Sequence, residues 1–453
     1  MLSSWELSFG AVESRDPTAG KILMLWAFFD NFDLWWGLFH SALQNANGLA
    51  WYPQTLQIAP PASAESTPSA EQQPTSKEPS DWLTIIAEAE IIFVEAIKVL
   101  REFSFVRTNG TDNFSIHPVV HEWANGRQDK RTWHENLNRA ILVAGKAIPL
   151  AHHKDAWVLQ RRLASSIDQI LSSITKSDVS LLSAYDGMVG LAIYEFDRSR
   201  FASADRLYDI AIPGFEKTLG KEHPKTVTAV HDRALCYRVL GKYEKAEEAW
   251  QWTLEVTTRS EGPLAKISLR ALDDLGRLYM IQGRAEEAHD YFTRSLEGKE
   301  KTQPEELETF DTMRQLGLAC QQTGRLQEAH RLHQIVWRHL KDTLGPNHTW
   351  TLLATRDLGC LHQRLGQYEE AVVCLQKALE TMETQLGPSH NYVLEILQDL
   401  AGVYEDMGRL DIGEELYKKI LNGYSGNSAK MEHKVGVIQA NLDRIRSQKE
   451  LEV

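Results

Sequence analysis

GKYEKAEEAW, residues 241–250, returns in altered form as GRAEEAHDYF (283–292), GRLQEAHRLH (324–333), GQYEEAVVCL (366–375) and GRLDIGEELY (408–417). The leading glycines stand 42, 41, 42 and 42 residues apart. One step earlier, SRFASADRLY (199–208) fits the same register with Ser199 in the glycine place. A fixed period of this size marks a solenoid, because each unit can bury its apolar face only against its neighbours. Six such units exceed the minimum of about three that an array needs.

Each unit reads as helix, tight turn, helix. Helical apolar spacing precedes the glycine, as in LRALDDLGRLYMIQG (269–283) and LLATRDLGCLHQRLG (352–366). Five places after it stands a small residue: Ala204, Ala246, Ala288, Ala329, Ala371 or Gly413. Nine places after it a large one usually follows: Tyr208, Trp250, Phe292, Leu375 or Tyr417. Small residues on the first helix, in Leu275-Gly276, Leu316-Gly317, Leu358-Gly359 and Leu400-Ala401, let the two helices approach closely.

These residues resemble the tetratricopeptide repeat. The linkers LGKEHPKT (219–226), LGPNHTWT (344–351) and LGPSHNYV (386–393) resemble those of its 42-residue, kinesin-light-chain-like subtype. The resemblance covers about residues 181 to 425 and implies an α-α superhelix that binds other proteins. HKVGVIQANLDRIRSQKE (433–450) reads as an amphipathic helix capping the array.

The N-terminal quarter differs. EAEIIFVEAIKVLREFSFVRTNGTDNFSIHPVVHEWA (88–124) reads as a helix, a strand pair about TNGTDN and a helix, which suggests a winged-helix-like module. The expected organisation is this module over 1–125, a helical connector over 126–180, six repeats over 181–430, and a capping helix and tail over 431–453. Within the module, residues 53–80 hold six prolines and no periodicity, so a disordered insertion is expected there. The fold class is mainly all-α, a winged-helix-like module followed by a tetratricopeptide solenoid.

FSIHPVVHEWA (114–124) places His117 and His121 four apart. On one uninterrupted helix they would share a face suited to zinc, but Pro118 favours a helix that starts after His117. No third ligand is near in sequence, so no metal site is expected. Together with SWELSFGAV (4–12), MLWAFFDNFDLWW (24–36) and EAIKVLREFSFV (95–106), this stretch resembles the winged-helix segment of fungal signalling ATPases of the NB-ARC (STAND) type. That family closes the segment with a Met-His-Asp motif whose histidine approaches the β-phosphate of ADP. The resemblance implies that His117 is a vestigial nucleotide sensor, with Pro118 in the place of the acid.

No phosphate-cradling G-x-x-x-x-G-K-[S/T] accompanies it. Gly20-Lys21, Gly145-Lys146, Gly220-Lys221 and Gly241-Lys242 are followed by Ile22, Ala147, Glu222 and Tyr243, so no Mg²⁺-binding hydroxyl is in place. ATP hydrolysis by this chain alone is not expected, and neither catalytic residues nor cofactors are assigned. A truncated or split gene product, a misplaced gene start and a natural short protein all fit.

The 453 residues carry 43% hydrophobic residues and a net charge of −13, which argues against a general nucleic-acid binder. No apolar run reaches the roughly 18 residues of a membrane span. Four cysteines without CxxC spacing suit a reducing, cytoplasmic setting. His330, His333 and His339 read as solvated histidines on a helix surface, His152-His153 as loop residues, and Trp133, Trp157, Trp250 and Trp337 as core.

One ladder bears on function. Nine residues before the turn glycines stand Asp232, Asp274, Gln315, Asp357 and Asp399; ten before stand His231, Asp273, Arg314, Arg356 and Gln398. In kinesin-light-chain-like arrays the matching positions line a concave groove. Asp232, Asp274, Arg314, Arg356, Asp357 and Asp399 are therefore candidates for binding a peptide of another protein, as a mostly acidic line. The alternative is structural pairing, for instance Asp273 with Arg277. The readings for the whole chain are the sensor half of a signalling ATPase lacking its nucleotide-binding domain, or a kinesin-light-chain-like adaptor; self-association stays open.

Overall fold

The computed structural model describes residues 2–44, 82–109, 113–148, 156–424 and 428–451. The expected insertion at 53–80, the pair His152-His153 and the side chain of Trp157 lie outside the described residues. Two compact units are present, Met1–Ala249 and Trp250–Val453.

The first unit opens with α1 (Leu2–Arg15), α2 (Pro17–Trp26), α3 (Trp36–Gln44), α4 (Trp82–Glu88) and α5 (Glu90–Glu102). Asp16 starts α2 by accepting from the Thr18 and Ala19 amides, with Pro17 at the first helical position where its missing N–H costs nothing. Strands β1 (Val106–Thr108) and β2 (Phe114–Ile116) pair antiparallel, Val106 opposite Ile116, as the strand signals predict. Leu34 bridges Phe114 on its other side. Helix α6 (Pro118–Gly126) follows, and Trp123 packs on Phe9 and Phe105 in a buried aromatic cluster. Then come α7 (Lys130–Ala147), α8 (Ala156–Lys176), α9 (Tyr185–Asp197), α10 (Phe201–Thr218) and α11 (Pro224–Val239); α12 (Tyr243–Ser260) spans the unit boundary. Helices α7 and α9 meet through Gly145, Gly187 and Gly190, which set backbone against backbone.

The second unit continues with α13 (Lys266–Ile281), α14 (Ala285–Thr302), α15 (Leu307–Gln322), α16 (Leu326–Leu344), α17 (Thr349–Arg364), α18 (Tyr368–Leu386), α19 (Asn391–Asp406), α20 (Leu410–Tyr424) and α21 (Ser428–Leu451). The repeats thus form a helical solenoid of paired helices. Every expected turn residue is left-handed, from Gly408 at φ 70° to Gly324 at φ 79°, and Ser199 adopts φ 60° in the same place. A non-glycine residue there costs about 1–2 kcal/mol, which the repeated geometry around it must outweigh. The residue after each turn donates its amide five places back, Arg284 to the Tyr279 carbonyl and Arg200 to that of Glu195, each at 2.8 Å. This closes the last turn of every first helix.

The packing rule read from spacing holds. A methyl group added at Gly276 would lie 2.7 Å from the Phe292 ring, and one at Gly359 would lie 2.9 Å from Leu375. The small residues Ala204, Ala246, Ala288, Ala329 and Ala371 are fully enclosed. The last helix, α21, buries Ile438, Leu442 and Ile445 against a core that includes Tyr417, Ile420 and Tyr424.

Candidate functional site

His117 and His121 serve separate ends. His117 has extended backbone and its Nδ1 accepts the Val119 amide at 3.2 Å, so α6 begins at Pro118 as the proline implies. The same histidine cap recurs between repeats, where His223, His348 and His390 accept from Lys225, Trp350 and Tyr392. His121 lies inside α6, its Nε2 2.9 Å from the Phe29 carbonyl oxygen.

The ladder residues fall between neighbouring first helices, and their charge is largely answered. Asp232, Asp274 and Asp357 are buried. Arg277 joins Asp274 at 3.0 Å to Asp311 on α15 at 2.6 Å. Arg314 reaches Asp357 on α17 at 3.1 Å, and Arg356 reaches Asp399 on α19 at 2.5 Å and Glu395 at 3.0 Å. These six residues lie in pairs rather than in an open acidic line: an arginine of the preceding repeat covers Asp357 and Asp399, Arg277 of the same helix covers Asp274, and His231 lies 3.2 Å from Asp232. The pairing itself also differs from the expected one: Asp273 takes Lys299 at 2.5 Å, leaving Arg277 to Asp274 and Asp311. Burial pushes the Asp311 carboxyl up, but Arg277, Arg314 and Lys299 outweigh that and hold it below the ordinary carboxylate range. At Asp399 burial prevails over Arg356, and the carboxyl is raised. Arg314, Arg356 and Asp399 keep side-chain exposures of 17%, 21% and 23%.

His333 corrects the expectation of a solvated histidine. It stands nine places after Gly324, in the place of the large core residue, with its ring against Gly317 and its Nε2 2.8 Å from Gln321. His339 stacks on Phe310 with ring centroids 3.5 Å apart. Burial, with Arg314 and His330 adding to it and Asp357 opposing, lowers the His333 pKa from 6.5. A histidine depressed on folding binds more protons unfolded, so its contribution is complete above pH 6.5 and is lost as pH falls from there through the lowered folded value. His333→Leu, which copies Leu375 of the next repeat, is expected to flatten the acid limb of the melting-temperature profile below that pH. An unchanged limb in the variant contradicts the assignment.

Two cavities in the first unit bear on binding. One of about 470 Å³ is lined by Trp35, Trp36, Phe93, Phe114 and Arg162, among others. Lys98 and Arg101 line it as well, while Arg162 is engaged, 3.7 Å over the Trp35 ring and bonded to both Asp33 oxygens at 2.5 and 2.6 Å. The other, about 240 Å³, lies between first helices α9 and α11. Val189, Ile193 and Phe215 give it apolar walls, Lys146 and Asp232 line it too, and Asp186 pairs with Lys225 at 2.9 Å on its rim. Spacing alone did not single out Asp186 or Lys225, because they precede the ladder in their helices. No helix among the described residues is long and apolar enough to cross a membrane.

The tetratricopeptide repeat family model matches residues 183–256, 227–301, 308–384 and 361–425, together more than half of the chain. No curated protein sequence matches. Among solved structures, the nearly identical repeats of a Podosopora anserina protein named after kinesin light chain are 23% identical over 45% of this chain and 96% of theirs, with TM-score 0.41. A STAND signal transduction ATPase with a tetratricopeptide repeat sensor, from Pyrococcus horikoshii, is 14% identical over 79% of this chain and 59% of its own, with TM-score 0.46. A Rap protein complexed with competence and sporulation factor is 12% identical over 78% of this chain and 93% of its own, also at 0.46. At these values the structural likenesses carry no functional argument.

Proposed function

The chain belongs to the tetratricopeptide repeat family, and from that premise we propose that it is a non-catalytic scaffold capturing a segment of another protein along its first helices. The observation that carries this reading is the cavity between α9 and α11. An apolar interior rimmed by Asp186 and Lys225 suits one large side chain of a bound segment, with flanking charges of either sign meeting the rim. A rigid array presents such a surface with little ordering cost on its own side. In this reading Asp232, Asp274, Arg314, Arg356, Asp357 and Asp399 set the spacing of the first helices, and the exposed edges of Arg314, Arg356 and Asp399 add polar contacts.

The finer reading is the sensor half of a fungal STAND-type signalling protein. It is supported by the helix, hairpin and helix of the N-terminal module and by His117 at the start of α6, the position of the family's nucleotide-sensing histidine. A cytoplasmic setting goes with it. A kinesin-light-chain-like adaptor would use the same surface for a different partner; an in-frame P-loop upstream in the gene favours the sensor.

The test is selection of peptides from a displayed library on the full chain, followed by Ile193→Arg. Selected peptides are expected to share an aliphatic or aromatic anchor with charged flanks. Their affinity should fall by about tenfold or more, the effect of denying one such side chain its burial, with circular dichroism unchanged. Peptides indifferent to Ile193→Arg place recognition elsewhere.

A further inference from the structure

We propose that His289, Cys320 and Glu328 form a three-ligand site for Zn²⁺ in the second unit. The three come from successive helices, α14, α15 and α16, and their donor atoms all lie within 4.8 Å of one another. Nothing in the spacing announced them, since 31 residues separate the first two and no CxxC or HxxxH links any pair.

The three donors converge: the Cys320 thiol hydrogen-bonds to Glu328, a contact that a shared ion would replace, and the imidazole faces the same point. His289 Nε2 is shut off from solvent and has no hydrogen-bond partner among the described residues, and the nearest Glu328 oxygen is 3.8 Å away. That gap is too long for a hydrogen bond but fits two ligands that share one ion. Cys320 is fully buried, whereas Glu328 reaches solvent, so a water completes the tetrahedron from the open side. The sulfur, nitrogen and oxygen donors favour a borderline-soft ion over calcium or magnesium, which take oxygen alone. Charge also balances: one thiolate and one carboxylate neutralise the dication, and the adjacent Arg325 is held by Glu286 at 2.8 Å.

Cys320 coordinates a metal through its thiolate sulfur. On binding, the S–H bond breaks, the sulfur keeps the electron pair and donates it to the metal, and the proton goes to solvent. No oxidant or reductant is involved.

Titration of the full chain with Co²⁺, under a non-thiol reductant, tests the site because cobalt on a thiolate has a near-ultraviolet charge-transfer band. The expected result is that this band saturates at one equivalent, that about one proton is released per ion, and that Zn²⁺ displaces it. Cys320→Ser should abolish the band, and His289→Gln and Glu328→Gln should each weaken binding by about tenfold or more. Absence of the band, or a band that survives Cys320→Ser, overturns the site. Should Cys320→Ser fail to fold, the two glutamine variants decide: undiminished affinity in both overturns it as well.

Discussion

Lys299→Met is expected to lower the stability of the second unit by about 3–5 kcal/mol. Lys299 on α14 and Asp273 on α13 are both buried, 2.5 Å apart. The ammonium also donates to the Thr312 hydroxyl at 2.9 Å and the Glu308 carbonyl at 3.3 Å, both on α15. Methionine fills the same volume but leaves the Asp273 carboxylate out of water with only a hydroxyl to donate to it, and that uncompensated charge sets the size of the effect. Urea denaturation followed by circular dichroism measures it. Adding Asp273→Leu to Lys299→Met should recover most of the loss, since a packed apolar pair of similar volume stands in for a buried ion pair at little cost. A single-variant loss below about 1 kcal/mol would place the pair among solvated surface bridges.

Gly145→Ala should cost about 3 kcal/mol or more, beyond the usual range for an added core methylene. The new methyl group would stand 2.0 Å from the Gly187 carbonyl oxygen, and the neighbouring contact places Gly190 equally close to Gly145. Side chains yield by changing rotamer, but two helix backbones yield only by moving apart, which opens the core that α7 and α9 share. Gly10→Ala is the control: it is also helical but has nothing within 4 Å, so it should gain about 0.5–1 kcal/mol. Equal melting temperatures for the two variants would show that α7 and α9 do not cross so closely.

The repeat period made the solenoid legible, down to Ser199 as a stand-in for glycine. The same spacing fixed which residues face between helices, and Pro118 alone separated His117 from His121. What it could not show was who covers whom one period away. Asp357 and Asp399 look like exposed acids until Arg314 and Arg356 are placed beside them. His333 escaped because histidine is read as polar, although its place after Gly324 is that of Phe292 and Leu375. Gly145 was weighed only as part of a phosphate loop, and its partners Gly187 and Gly190 are about forty residues on, in another helix. The His289, Cys320 and Glu328 grouping likewise depends on three helices meeting, which no local pattern encodes.

The arginine ladder also writes an order into units that packing alone would leave interchangeable. Arg314 and Arg356, each ten places before a turn glycine, find Asp357 and Asp399, each nine places before the next. Where the tenth place holds Asp273 instead, the ninth place of the following repeat holds Gln315, which brings no second negative charge. The repeats are therefore not all interchangeable, since an arginine at the tenth place needs an acid at the ninth place of its successor and Asp273 does not. Exchanging the repeat turning at Gly324 with the one turning at Gly366 would preserve the contacts of Gly317 with His333 and of Gly359 with Leu375, yet it would set Gln315 where Arg356 looks for an acid and leave Asp357 next to Asp273. The chain is a sentence whose words share one shape, and its charges supply the syntax.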